Sequence, residues 1–407
     1  MGLTGRYRLL QAAFWMMFCV GQGYITFYLT HYGYTTGEIG MLTAAFGLVA
    51  ALTQTRVGRL SDRGGRYNWR ALIRILSVLC FILMLTLSFL KEKYLVGLFY
   101  GLFIVGINAM LPLVNAGCFY LNQEIAANES GEKPIDFAFA RGLGSLSFAI
   151  LSFTLGRLTA AFGKSPVTIA GMGVALCIFF AASLICYEGN AQNEKDQAQP
   201  DEENAAQEND GRGFFARYPV VMTMMAGLVC VLTFHNIINT YLLQIMQRVG
   251  GDSSHMDTAL AIAGLCEVPT MFLFVKIKKR FSSGCLLVVS GAVYILRVLL
   301  MIAARSVSMI YATEVLQLAT FALYASAAVY YVEEMVEEKD RTKGQALVGG
   351  VSTLGQVIGN LAGGFVLQYF GVGNLLLTGC VLITFGTAVI TIAYRKGRAE
   401  KQALAQR

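Results

Sequence analysis

Charge is what this 407-residue sequence has least of: Asp, Glu, Lys and Arg together make up 14% of it, against 56% hydrophobic residues. A soluble domain carries about a quarter charged residues, and a soluble fold of this size must still cover its surface with polar groups. A water-soluble globule is therefore excluded. The nine cysteines lie almost all inside apolar runs without paired spacing, which excludes a disulfide framework and a cysteine metal site. No Gly-x-x-x-x-Gly-Lys-Ser/Thr stretch occurs, so this chain is not expected to use ATP by itself. No metal-ligand spacing and no nucleophile–base set is found, so neither enzyme chemistry nor a cofactor is expected. The first apolar run is too long for a signal peptide and has no small-residue cleavage site after it, so it is expected to persist as a helix.

What the sequence does have is long apolar runs that do not alternate. Only helices or closed barrels can span lipid, because every backbone polar group must be satisfied internally, and unalternated runs select helices. A spanning helix needs about 20 apolar residues. Such segments fall at 9–30, 37–57, 71–90, 94–119, 137–159, 165–187, 218–246, 256–276, 284–303, 307–331, 344–368 and 373–394. Between the sixth and seventh lies an acidic stretch without apolar periodicity, which reads as a disordered linker. The expected fold is all-α, with twelve transmembrane helices in two six-helix bundles: residues 1–188, a cytoplasmic linker 189–213, and residues 214–407. The net charge of +7 reflects orientation rather than nucleic-acid binding. With the N-terminus in the cytoplasm, cytoplasmic segments hold 24 of the 32 Lys and Arg residues and the opposite face six, which predicts both termini inside. In the eleventh segment Gly355, Gly359 and Gly363 are spaced four apart, the pattern of close helix packing in lipid.

The loop between the second and third segments reads Gly58-Arg59-Leu60-Ser61-Asp62-Arg63-Gly64-Gly65-Arg66. Its glycines allow a tight turn. Asp62 can sit against a helix N-terminus and a basic partner, and the arginines can bridge to acids on the same face. A loop that only obeyed the orientation rule would explain the arginines, not Asp62 and the glycines. The stretch resembles the G-x-L-x-D-R-x-G-R signature of the major facilitator superfamily. Topology and the central linker agree, so the resemblance covers the whole chain. It implies alternating access, with Gly58, Asp62, Arg63, Gly65 and Arg66 in a loop that latches the cytoplasmic side. The second half has a degenerate counterpart, Lys276-Ile277-Lys278-Lys279-Arg280-Phe281, which keeps the charge and loses the acid.

A charged side chain at mid-helix costs about 2.5–3.5 kcal/mol on insertion scales, so each one needs a partner or a purpose. Four stand out: Arg141 in the fifth segment, Glu267 in the eighth, Arg297 in the ninth and Glu314 in the tenth. Their balanced signs suggest pairing, either for function or as ion pairs that only hold helices together. At these residues the sequence resembles the lactose permease branch, the oligosaccharide and nucleoside proton symporters. Phe137-Ala138-Phe139-Ala140-Arg141-Gly142-Leu143-Gly144-Ser145 is similar to that branch's arginine-bearing fifth helix, which implies that Arg141 hydrogen-bonds sugar hydroxyls. Phe148 takes the place of a tryptophan that stacks on the sugar ring. Asn115, in Leu111-Pro112-Leu113-Val114-Asn115-Ala116, stands where an acid completes the sugar site. Glu267 resembles a sugar-binding glutamate, and Arg297 the ninth-helix arginine of the coupling network.

Helix ten of that branch carries a histidine and a glutamate that handle the proton; Gln317 and Thr320 stand here instead, and Glu314 where a lysine is expected. His235 and Asn239 replace paired aspartates. Glu267 beside Arg141 or Arg297 is then the candidate for a protonation switch, and Glu314 with His235 a second candidate pair, since histidine titrates near neutrality. Gln22, Asn108, Asn115, Asn236, Asn239 and Gln317 supply amides of the kind that recognise sugars and nucleosides. The expected function is secondary active transport of a small polar solute, a sugar, oligosaccharide or nucleoside, by proton-coupled uptake across the plasma membrane. A drug or metabolite exporter of the same fold is the alternative. The expected partners are the solute, protons and lipid, without nucleic acid, for a chain acting as a monomer.

Overall fold

The computed structural model describes residues 2–62, 68–127, 133–185, 214–337 and 340–405, and among them there is no strand. Gly58 and Asp62 lie in the last turns of the second long helix, whereas Arg63, Gly65, Arg66 and the linker 189–213 fall outside the described residues.

The chain opens with α1 (Leu3–Phe18), a π turn (Cys19–Gly23) and α2 (Ile25–Thr30). It continues through α3 (Thr36–Asp62), α4 (Trp69–Phe89), α5 (Lys93–Ala127), α6 (Phe137–Phe162) and α7 (Ser165–Leu184). After the linker come a short α8 (Phe214–Arg217), α9 (Pro219–Thr240), α10 (Leu242–Arg248), α11 (Ser253–Lys278) and α12 (Ser283–Ala303). Then α13 (Val307–Val315), a 3-10 turn (Leu316–Leu318), α14 (Phe321–Met335) and α15 (Arg341–Ala405) complete the order. Side-chain oxygens cap several starts: Asn68 accepts from the Ala71 amide and Asp136 from the Phe139 amide. Asp252 and His255 form a capping box at α11, which satisfies amides a helix cannot satisfy itself. Gly371, with φ of 76° and ψ of 176°, breaks the 65-residue α15.

Among the described residues, ten helices are long and apolar enough to cross a membrane. The sequence marks two more segments than that. The π turn divides the first into pieces that are each short, and the last two share α15 on either side of Gly371.

Packing divides the chain into one unit of Met1–Tyr34 with Ala45–Asp210 and another of Thr35–Ala44 with Gly211–Arg407. In the first, tyrosine hydroxyls donate to backbone carbonyls of other helices: Tyr7 to Val114 (3.1 Å), Tyr24 to Ser152 (3.1 Å) and Tyr28 to Leu87 (3.3 Å). Tyr100 donates to the carbonyls of Val20 and Gly21, which the π turn releases from regular pairing. Arg70 and Glu124 pair at 2.5 Å, tying the start of α4 to the end of α5.

In the second unit α9 lies along α15 through glycines on both. A Cβ on Gly227 would fall 2.8 Å from the Gly386 carbonyl oxygen, and one on Gly355 would fall 3.0 Å from the Thr233 nitrogen. Backbones approach this closely only where side chains are absent, and close approach supplies the dispersion contact that drives helix packing in lipid. The first residues of α3 join this unit: Thr36 Oγ1 donates to the Gly364 carbonyl (3.3 Å), and the Gly37 amide to Gln368 Oε1 (2.9 Å). Asp340 is buried and takes Arg217 at 2.8 Å, Lys343 at 3.1 Å and the Tyr218 hydroxyl at 3.2 Å. Burial pushes the Asp340 carboxyl up, but hydrogen bonds from Lys343, Tyr218 and Arg217 outweigh it and hold the group below the usual carboxylate range.

Valine at Gly227 must part α9 from α15, an overpacking penalty of about 1–3 kcal/mol. Gly227→Val is expected to lower the thermal unfolding midpoint in detergent. Gly349→Ala, whose Cβ would meet nothing within 4 Å, is expected to leave it unchanged or raise it. The Asp340 cluster has its own pH signature. A depressed folded pKa gives stability that is present above the unfolded value and lost as pH falls through the folded one. Asp340→Asn is therefore expected to unfold at lower temperature than wild type at pH 7, with the gap closing below about pH 4.

Candidate functional site

In the first unit the polar residues of α1 form a ladder. Gln11 Nε2 donates to the Tyr7 hydroxyl (2.8 Å) and Trp15 Nε1 donates to Gln11 Oε1 (3.1 Å). Tyr7, Gln11 and Trp15 are spaced four apart, so they share one face. The ladder is anchored on α5 through the Tyr7 bond to Val114 and fixes the indole plane. The Arg141 guanidinium lies over that plane, 3.5 Å from the ring centroid, and its Nη1 donates to Ser145 Oγ at 2.6 Å. Gly144 makes room for the indole: a Cβ there would sit 2.9 Å from Trp15 Cγ. Arg8 stacks in the same manner over Phe139, at 4.5 Å.

The ring under Arg141 is thus Trp15; Phe148 lies two turns farther along α6, partly buried. Trp15 escaped the sequence reading, although one of only two tryptophans, four residues from a buried glutamine, was the signal available. Gln22 sits in the π turn, and its Nε2 is buried without a hydrogen-bond partner among the described residues. Asn115 is exposed on α5, three residues after Pro112. Asn108 turns its side-chain nitrogen back to the Ile104 carbonyl, and its backbone carbonyl accepts from Gln54 Nε2.

The second unit brings most of its predicted residues together. Arg297 is fully buried and pairs with Glu314 at 2.5 Å. Its Nη1 donates to Gln317 Oε1, and Gln317 Nε2 donates to Glu267 Oε1 at 3.2 Å. Three elements supply this chain: α12 carries Arg297, the broken helix of α13 and the 3-10 turn carries Glu314 and Gln317, and α11 carries Glu267. The break is built rather than frayed. Thr320 has φ −100° and ψ −97°, outside helical values. Hydroxyls support the backbone at the break: Thr270 donates to the Leu318 carbonyl (2.7 Å), and Ser290 adds a second donor (2.9 Å) to the Thr320 carbonyl, which also accepts from the Tyr324 amide.

The expected pairing of His235 with Glu314 is not formed. Glu314 goes to the guanidinium, and both ring nitrogens of His235 are taken otherwise: Nδ1 by the Tyr294 hydroxyl and Nε2 by the Asn239 amide, each at 2.9 Å. The ring also stacks on Phe321, 4.3 Å away and 3° from parallel. Asn236 bonds back to the Leu232 carbonyl. Tyr294 was missed by the sequence reading, since a tyrosine in an apolar run carries no sign of its partner.

Helices of membrane-spanning length, divided into two units, define a multi-pass membrane protein. The model of a family described as the MFS_1 like family matches residues 7–377, and the chain belongs to that major facilitator family. It is 21% identical over 386 residues to the uncharacterized transporter YwbF of Bacillus subtilis (strain 168), covering 94% of this chain and 91% of that one. It is 22% identical over 354 residues to a Deinococcus radiodurans protein named for sugar efflux, covering 83% and 84%. Among solved structures it resembles the nucleoside transporter NupG, with TM-score 0.74 and 13% identity over 98% of this chain and 99% of that one. It also resembles a bacterial homologue of the human lysosomal transporter Spinster, with TM-score 0.67 and 15% identity over 97% and 95%. At such identities the structural likeness concerns the fold. The family is one of transporters, not of enzymes.

Removing one partner of a buried ion pair strands the other, at a cost of about 3–5 kcal/mol, whereas replacing both by apolar groups is often neutral. Arg297→Met alone is expected to lower the unfolding midpoint sharply, and Arg297→Met with Glu314→Met to recover most of it without recovering transport. Thermal unfolding in detergent beside vesicle uptake checks both halves.

Proposed function

We propose that this chain takes up a small polar solute, a sugar, oligosaccharide or nucleoside, together with a proton, by alternating access in the plasma membrane. The observation that carries this reading is the Arg141–Trp15 stack. A guanidinium held over an indole sets a hydrogen-bonding cation beside a flat apolar face, a pairing suited to a sugar or nucleobase ring. Arg141 is the principal solute ligand in this reading; Phe148, Asn115, Gln22 and Asn239 are further proposed ligands, and Glu267 is the acid that meets both solute and proton. The likeness to a structure named as a nucleoside transporter and to a relative named for sugar efflux supports this substrate class.

The topology in this reading has twelve spans with both termini cytoplasmic: α1, the π turn and α2 make one, α13 and α14 another, and α15 two, separated at Gly371. The excess of Lys and Arg on one set of loops supports the orientation. The loop from Gly58 to Arg66 latches the cytoplasmic side. Residues 189–213 link the halves, and the protein works as a monomer.

Export is the second reading, favoured by the name of the Deinococcus relative. Uptake of radiolabelled uridine and lactose into energised vesicles, with and without a protonophore, separates the two. Uptake predicts accumulation that the protonophore abolishes; loss of preloaded label from cells without vesicle accumulation would favour export. Arg141→Ala is expected to raise the KM at least tenfold, and full transport by that variant would remove the basis of the substrate assignment. Glu267→Gln is expected to keep exchange and lose accumulation against a gradient.

A further inference from the structure

The stretch Lys276-Ile277-Lys278-Lys279-Arg280-Phe281 carries four cations and, unlike Gly58 to Arg66, no acid. A general excess of cations on one set of loops accounts for their number, not for where they point. α11 has 26 residues. At about 1.5 Å per residue it is about 39 Å long, against about 30 Å of hydrocarbon, so its last turn emerges into the headgroup layer. Leu265, Phe272, Lys276 and Lys279 follow one another at helical intervals, which puts them on one face, and all four are exposed. The apolar face that α11 turns to acyl chains therefore runs directly into two lysines. The opposite face answers its own charge. Phe274 is buried and stacks on Tyr330, and Lys278, one turn on, lies 3.8 Å from the centre of that ring and 3.6 Å from Glu334.

Lys276, Lys279 and Arg280 have no acid within ion-pair reach among the described residues. The C-terminus of α11 contributes about half a negative charge, too little for three cations. The turn that presents them is fixed. The Lys279 amide donates to the Val275 carbonyl, the Arg280 and Phe281 amides donate to that of Ile277, and Ser282 accepts from the Cys285 amide at the start of α12. Phe281, next to Arg280, is 52% exposed. An exposed ring beside cations at this depth suits the boundary between headgroups and acyl chains.

We propose that the end of α11 and the turn after it bind an anionic phospholipid. Lys276, Lys279 and Arg280 take its phosphate, the arginine through its planar fork, and Phe281 enters the acyl boundary. A soluble phosphate would meet the same cations but gain nothing from Phe281 or from the acyl-facing stripe, so the ligand is the lipid. Charge clusters that directly follow a spanning helix attract anionic headgroups in this manner. The site is apart from the solute path proposed above: Glu267 is on the buried side of the same helix.

The experiment is native mass spectrometry of the full chain, delipidated in detergent and titrated with palmitoyl-oleoyl phosphatidylglycerol, the matching phosphatidylcholine, or glycerol phosphate. Wild type is expected to prefer phosphatidylglycerol to phosphatidylcholine and to ignore glycerol phosphate. Each cation at an anionic headgroup is worth roughly fivefold in affinity, so Lys276→Gln with Lys279→Gln and Arg280→Gln is expected to weaken phosphatidylglycerol by at least about twentyfold. Arg395→Gln with Lys396→Gln and Arg398→Gln removes as many exposed cations from the end of α15; that variant is expected to stay within about threefold of wild type. Phe281→Ala keeps every charge and is expected to weaken the lipid by about fivefold. Equal losses in the two triple variants would mean diffuse attraction to the whole charged face and overturn the proposal, as would unchanged affinity in the first. Displacement of the lipid by glycerol phosphate, or unchanged affinity in Phe281→Ala, would overturn the lipid assignment. If the first triple variant does not reach the membrane, wild type in about 1 M salt decides, because charges there are screened beyond about 3 Å: lost binding supports the site and retained binding overturns it.

Discussion

Arg297 is fully buried, in a helix whose surroundings offer no bulk water, and a guanidinium in that position must be answered by the protein itself. Much of the second unit is arranged around that requirement. Glu314 supplies the counter-charge and the Gln317 carbonyl takes a further donor. Bringing a carboxylate and an amide three residues apart to one guanidinium falls at the place where the helix gives up its regular ladder. A carbonyl freed there would cost several kcal/mol in hydrocarbon; the α11 hydroxyl of Thr270 meets that of Leu318, and the α12 hydroxyl of Ser290 adds a second donor to that of Thr320. One buried cation thus accounts for an ion pair, a bridging amide, a helix break and two hydroxyl latches.

The first unit answers its guanidinium with an aromatic ring. Arg141 is spread over an indole whose orientation is fixed three residues deep, by Gln11, by Tyr7 and by the α5 backbone. Cation–π contact tolerates a weakly hydrated guanidinium, and its Nη1 donates to Ser145 beside the ring. The π turn next in sequence belongs to the same economy of polar groups. Its unpaired carbonyls are taken by Tyr100, while Gln22 keeps a buried amide nitrogen without a partner among the described residues. Irregular backbone in a spanning segment is tolerated where protein side chains can re-satisfy it, and both units use that licence.

The glycines show the opposite economy, where nothing is the useful side chain. Gly227, Gly355 and Gly386 let α9 and α15 meet backbone to backbone, which replaces the hydrophobic drive that lipid does not provide. His235 illustrates how such packing fixes a polar group. Stacked on Phe321 and bonded through both nitrogens, it has become part of the scaffold that holds Asn239.

The amino-acid order by itself determined the solvent of this protein and its secondary structure. Apolar runs of spanning length, with charge pushed into the loops, leave a chain little choice but helices in lipid, because no other open structure satisfies its backbone there. The same scarcity of charge made Arg141, Glu267, Arg297 and Glu314 legible one by one. Which of them meet was decided by tertiary structure alone. Sequence spacing orders residues along one helix, but the partner of a buried charge comes from another helix at a depth and rotation set by packing. So Glu314 found Arg297 rather than His235, Arg141 found Trp15 as its ring, and Gln317 became the link between two helices. The breaks were equally hidden. The π turn in the first segment holds Gly21 and Gly23 but no proline, the 3-10 turn in the tenth holds neither residue, and the hydroxyls that meet their carbonyls, from Tyr100 and Thr270, come from elsewhere in the fold.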